Sequence, residues 1–127
     1  MRVFTVLEPA FKVEPLFVLG AQPDQARALF RRRRFRVDLG NIGERDDTCL
    51  AGQMFSFDRT PWHVVWTRHL DAGVALHETF HLVTRICHDR GIPIRAYDER
   101  GDHGDETAAY LFEFFARAVL RRIAGAR

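Results

Sequence analysis

The segment His77-Glu78-Thr79-Phe80-His81 holds the residues best suited to chemistry in this 127-residue chain. It reads His-Glu-x-x-His. On an α-helix, residues four apart project from one face, so two imidazoles one turn apart can grip a single Zn²⁺. The Glu beside the first His can then reach a metal-bound water and take its proton as general base. A shuffled chain with 6 His and 7 Glu contains this pattern with a probability of about 0.015, so the spacing is suggestive and needs its context. The plainer reading of any one His is a hydrogen-bonded core residue.

A catalytic zinc site takes three protein ligands and leaves one position open. His88 lies two helical turns beyond His81, about 10 Å along the axis, too far to share one ion. A Gly that breaks the helix so that a third His turns back would stand at position 84, with the His at 87. Thr84 and Cys87 occupy those positions, so that arrangement is rejected. There remains an acidic residue on a following helix. Glu106 comes after the loop Gly91 to Gly104, which is long enough to turn the chain around, and completes a His₂Glu set. Charge compensation at a helix N-terminus is its alternative role. Asp102, His103 and Asp105 are rival ligands, of which Asp102 and Asp105 suit helix capping. Small Ala109 would let the two helices approach. Tyr110 shares the Glu106 face. His103 and Tyr110 are candidates for transition-state or substrate contact, although a partly buried aromatic explains Tyr110 equally well.

These groups need helices to hold them, and the sequence supplies the signals. Asp71 is a good N-cap for a helix running to about Asp89, ended by Gly91 and Pro93. Leu76, Phe80, Val83 and Cys87 repeat at core spacing, with His77, His81, Thr84 and His88 on the adjacent face. A last helix begins near Asp102 to Asp105 and carries Ala108, Leu111, Phe112, Phe115, Val119 and Ile123 as a core stripe. Upstream, a strand precedes Pro9. A second run, Phe11 to Leu19, contains Pro15, which confines it to an edge or a bend. A helix starts at Gln22-Pro23-Asp24, with Ala26, Leu29 and Phe30 turned inwards. Residues 37–48 read as loop. Cys49 to Phe57 and Trp62 to Thr67 read as a hairpin joined by Asp58-Arg59-Thr60-Pro61. The second of these strands is expected to border a substrate cleft and to accept an extended peptide.

Composition sets the class. At 46% hydrophobic and 28% charged residues, the chain reads as one globular domain spanning 1–127. No apolar run nears the roughly 20 residues of a membrane helix, and the N-terminus lacks a signal-peptide core. A cytoplasmic location is the expectation. Cys49 and Cys87 read as buried free thiols. Net charge is +2, and Lys12 is the sole lysine among 19 basic residues. Arg31, Arg32, Arg33, Arg34 and Arg36 cluster at a helix end. They form either a solvated face or a patch for nucleic acid or an acidic partner. No Cys/His finger and no aromatic-and-glycine pattern of an RNA-binding sheet accompanies them.

With Ala75-Leu76-His77-Glu78-Thr79-Phe80-His81 and Asp105 to Leu111 both in view, the chain resembles the small zincin-like metallopeptidases encoded by tailed phages and prophages. Those chains pair a Leu-x-His-Glu-x-x-His helix with a later Asp-Glu-x-x-Ala-Tyr-Leu helix. The resemblance covers most of the chain; the arginine run departs from it. A weaker resemblance, to zincins that cleave phage repressors, lacks their Glu-Ala-Asn-type segment. The main resemblance implies an α+β fold of minimal zincin-like form: a small, mostly N-terminal β-sheet with one helix, then the His-Glu-x-x-His helix and an antiparallel C-terminal helix. It implies Zn²⁺ held by His77, His81 and Glu106, Glu78 as base, and peptide or protein as substrate. Two other readings stand beside it. One is an inert protein fastened by zinc; the other is a nucleic-acid-binding module built on the arginines.

Overall fold

Leu16-Phe17-Val18-Leu19 and His63-Val64-Val65-Trp66-Thr67 are near-continuous apolar runs, the mark of strands covered on both faces. They become β2 (Leu16–Leu19) and β4 (His63–Thr67), every residue of which is buried. In this computed structural model, residues 1–33, 51–57, 63–94 and 105–125 are described. Within them the chain is α+β: a four-stranded mixed sheet with three helices. The remaining elements are β1 (Arg2–Thr5), α1 (Pro23–Arg32), β3 (Gly52–Ser56), α2 (Ala72–Asp89) and α3 (Glu106–Ile123). The strand order is β1-β2-β4-β3. The central pair β2 and β4 is parallel, and both outer strands are antiparallel to their neighbours.

Alternation along the strands divides the core in two. Phe4, Phe17, Leu19 and Val65 face α2 and α3, while Leu16, Val18, Val64 and Trp66 face α1. Phe4 stacks on Phe17 at 5.2 Å between ring centroids, and Phe17 meets Phe115 of α3 at 6.3 Å. Each such fully buried side chain contributes about 1.5–3 kcal/mol. Ala26, Leu29 and Phe30 fix α1 as expected. Pro15 does not place its segment at an edge: β2 is interior. The proline precedes the first strand residue, where a missing N–H removes no ladder bond, and its carbonyl accepts from Val6 N at 3.2 Å.

The ends of α2 follow the sequence closely. The Asp71 side chain accepts from Val74 N at 2.8 Å. At the other end Gly91, at φ +65°, makes the left-handed turn that L-residues avoid. Gly91 N then donates to His88 O and Ile92 N to Cys87 O, a Schellman closure. Cys87 is a buried free thiol, as expected; Cys49 lies outside the described residues. So do the hairpin link at 58–61 and the loop at 37–48. Among the described residues, no helix is long and apolar enough to cross a membrane.

One buried carboxyl group organises the N-terminal turn. Glu8 is fully buried. Its Oε1 accepts from Ala10 N at 3.0 Å and its Oε2 from Phe11 N at 2.7 Å. Tyr110 of α3 donates its hydroxyl to Oε1 at 2.9 Å, and Arg90 Nη2 donates to Phe11 O at 2.7 Å. The turn is thus tied to the end of α2 and to the start of α3. Glu8→Ala would leave two backbone N–H groups without their acceptor. It is expected to lower the unfolding free energy by about 3 kcal/mol in urea titrations.

Candidate metal centre

The buried stripe of α2 is Ala75, Thr79, Leu82, Val83, Ile86 and Cys87, with Glu78 at its margin. That phase sets everything beside it. His77 and His81 fall on the exposed side, one turn apart. Phe80 does not enter the core as the spacing suggested; it is 56% exposed, with its ring edge-on to Phe112 of α3 at 6.3 Å. Leu76 is half-buried, whereas Val83 and Cys87 are buried as expected. A helix with apolar residues on two adjacent faces leaves its rotation undetermined until the sheet is in place.

The two imidazoles converge. His77 Nε2 and His81 Nε2 lie 3.1 Å apart, with the ring planes at 77°. Two nitrogens each 2.0–2.1 Å from a tetrahedral Zn²⁺ stand about 3.3–3.4 Å apart, so the pair needs almost no movement to share an ion. His77, Glu78 and His81 each place a ligand atom within 4.8 Å of the other two. The chemistry of this set, two neutral nitrogen donors and one carboxylate, suits a divalent cation.

Glu78 differs from the histidines in being only 8% exposed. Burial pushes its carboxyl above the ordinary range, against the opposing pull of His81, His77 and the Met54 backbone N–H. A carboxyl raised in this way is better matched to accepting a proton near neutrality than an exposed one. Its neighbour across the helix–sheet junction is Gly52 of β3. A Cβ there would come within 2.9 Å of Trp66 O and 3.0 Å of both Glu78 Cγ and Val74 Cγ1. The missing side chain lets the strand lie directly against the Glu78 stem.

The histidine pair opens on a cavity of about 650 Å³, lined by Gly52, Gln53 and Met54 on one side and His77, Glu78, His81 and His88 among those on the other. The strand expected to border the cleft was Trp62 to Thr67. In the structure β4 is interior, hydrogen-bonded to β2 and β3 on its two sides, and cannot accept a peptide. The bordering strand is β3, whose outer edge pairs with no other strand among the described residues. Gly52 was the available clue, since glycine in a strand often marks close backbone approach.

Glu106 is exposed in the first turn of α3, and its carboxylate is not part of the His77-Glu78-His81 group. Tyr110 gives its hydroxyl to Glu8 and does not line the cavity. Ala109 is exposed, and Ala108 is the small residue packed on the core. Asp105 is the N-cap residue of α3 but makes no side-chain cap. His103 and Asp102 lie outside the described residues, as does Arg34; Arg31, Arg32 and Arg33 are exposed at the end of α1. His88 lines the cavity rim, two turns from His81, as its spacing predicted. Sequence reasoning overlooked Arg85 in the cavity wall and Ser56, whose Oγ lies 2.9 Å from His63 Nδ1.

Family models, curated proteins and solved structures offer no match to this chain. The chemistry of the site is therefore argued from its own geometry. Gly52→Ala is expected to push β3 away from α2 and to destabilise the protein by about 1–3 kcal/mol, read as a lower denaturation midpoint. An unchanged midpoint would show that the strand and Glu78 are not in close registry.

Proposed function

We propose that the protein is a zinc-dependent peptidase of minimal zincin-like design. His77 and His81 are the paired ligands, Glu78 is the general base, and Glu106 is the candidate third ligand. The observation that carries this reading is the 3.1 Å approach of the two Nε2 atoms with a buried carboxyl alongside. The cation would polarise the scissile carbonyl and lower the pKa of water at the open position towards about 7. Glu78 takes up the proton released there and returns it to the leaving amine. Its burial favours the protonated form and so helps the uptake step. The free edge of β3 beside the histidines offers backbone groups to an extended peptide. Glu106 needs to be drawn towards the histidines to complete the set. It lies in the first turn of α3, and α3 packs on α2 through Phe80 and Phe112.

A second reading follows from the place of Glu78 within 4.8 Å of both ring nitrogens. There the carboxylate is itself a ligand, and zinc fastens a protein without hydrolytic activity. One pair of variants separates the two. If Glu78 is the base, Glu78→Gln keeps its zinc while turnover of a peptide library falls about 10²–10⁴-fold. His81→Ala loses both. Zinc loss in Glu78→Gln would favour the ligand role, and undiminished turnover would remove Glu78 from the mechanism.

A further inference from the structure

A second cavity, of about 490 Å³, opens where β3 passes the C-terminal half of α2. Its walls include Lys12, Ser56, His63, Arg85, Asp89 and Arg90. It shares Arg85 with the cavity at the histidine pair. Both are bounded by the same two elements. Gly52 to Met54 and His77 to His88 line the first; Ser56 and Arg85 to Asp89 line the second. The two cavities thus form successive parts of one trough between β3 and α2.

The second part is positive. Arg85 Nε lies 3.0 Å from Asp89 Oδ1, so this pair largely cancels. Among the described lining residues, Lys12 and Arg90 remain as the excess charge. Arg90 spends one amino group on Phe11 O and keeps further donors in its guanidinium fork. Lys12 is held with some effort. At φ +54° it is the one non-glycine residue in the left-handed region among those described, a conformation that costs about 1–2 kcal/mol. Buried Glu8 stabilises the turn on which it sits through Ala10 N, Phe11 N and Tyr110 Oη. The fold thus fixes the chain's sole lysine at the mouth of this cavity. Behind it the half-buried Ser56 and buried His63 form a pair that adds hydrogen-bonding capacity. Burial keeps the His63 imidazole towards neutral, and nearby Arg85 and Arg90 act in the same direction against Asp89.

We propose that this cavity binds a carboxylate of the peptide lying in the trough, about two to three residues from the bond positioned at His77 and His81, so that the substrate is an acidic peptide. This rests on the peptidase reading. The spacing follows from β3 itself: Met54 borders the first cavity, and Ser56 and Phe57 the second. Two or three residues of extended chain cover about 7–10 Å. Lys12 and Arg90 supply charge-assisted hydrogen bonds to the carboxylate. The carboxylate comes from an Asp or Glu side chain or from the peptide's C-terminus.

The test is fluorescence anisotropy with zinc-loaded Glu78→Gln protein and short labelled peptides. One set is neutral and C-terminally amidated, a second carries a single Glu stepped along the amidated chain, and a third is neutral with a free C-terminus. An acidic peptide should bind about tenfold more tightly than its neutral amide, the worth of one charge-assisted hydrogen bond. Whichever set gains identifies the source of the carboxylate. Added Lys12→Gly, which suits the positive φ, should reduce the gain severalfold with no loss of zinc or melting temperature, and Lys12→Gly with Arg90→Ala should abolish it. Lys12→Glu, which sets a carboxylate against Arg90, should remove the preference for acidic peptides. Equal binding of acidic and neutral peptides, or an undiminished gain in Lys12→Gly, overturns the proposal. Acid-selective binding with no cleavage by the wild-type protein keeps the cavity assignment and removes the peptidase reading. Cleavage without acid preference does the reverse.

Discussion

The rotational setting of α2 on the sheet is the constraint from which the rest follows. Ala75, Thr79, Leu82 and Ile86 are buried against strand residues such as Phe17 and Val65. With that stripe turned inwards, residues 77 and 81 must face outwards. Residue 78 must lie at the margin of the stripe, against Gly52. A rotation of one residue position, about 100°, would expose the glutamate in one sense and bury both histidines in the other. Hydrophobic burial, which has no chemical role of its own, thus decides which groups can meet a cation and which is kept from water. It also raises the Glu78 carboxyl, because the ionised form loses hydration there.

The sheet divides its work in a similar way. β2 and β4 are spent on the core, with both hydrogen-bonding edges occupied. β3 keeps one edge unpaired among the described residues and lines both cavities of the trough. Across that trough, α2 supplies nitrogen donors near its middle, with Arg85 and the C-cap residue Arg90 near its end. The turn at residues 8–13 contributes from the far side of the sequence. It is held by Glu8 and carries Lys12 to the same end of the trough.

Much of this was legible in the sequence because it is local. The Asp71 cap, the Gly91 closure, the Gln22-Pro23 start of α1 and the one-turn spacing of His77 and His81 all depend on residues within a few positions of each other. What was not legible depends on distant packing. Periodicity placed Phe80 in the core, but it cannot choose between adjacent helical faces when both carry apolar residues. Pro15 suggested an edge or a bend; the edge fails because strand order is a property of the whole sheet, and a proline just outside the strand obeys the same rule. Trp62 to Thr67 has the composition of a strand without any sign of which neighbours flank it. Tyr110 shares a helical face with Glu106, but its hydroxyl finds Glu8 across 102 residues of sequence. The pairing of Ser56 with His63 needs the β3–β4 register, in which they stand directly opposite.

The most direct measurement is X-ray absorption at the zinc edge on protein loaded with one equivalent of Zn²⁺ and desalted. A metal centre built on His77 and His81 predicts retained zinc with two imidazole nitrogens at about 2.0–2.1 Å and oxygen in the remaining positions. Protein that emerges without zinc, or a spectrum lacking imidazole scattering, would contradict it.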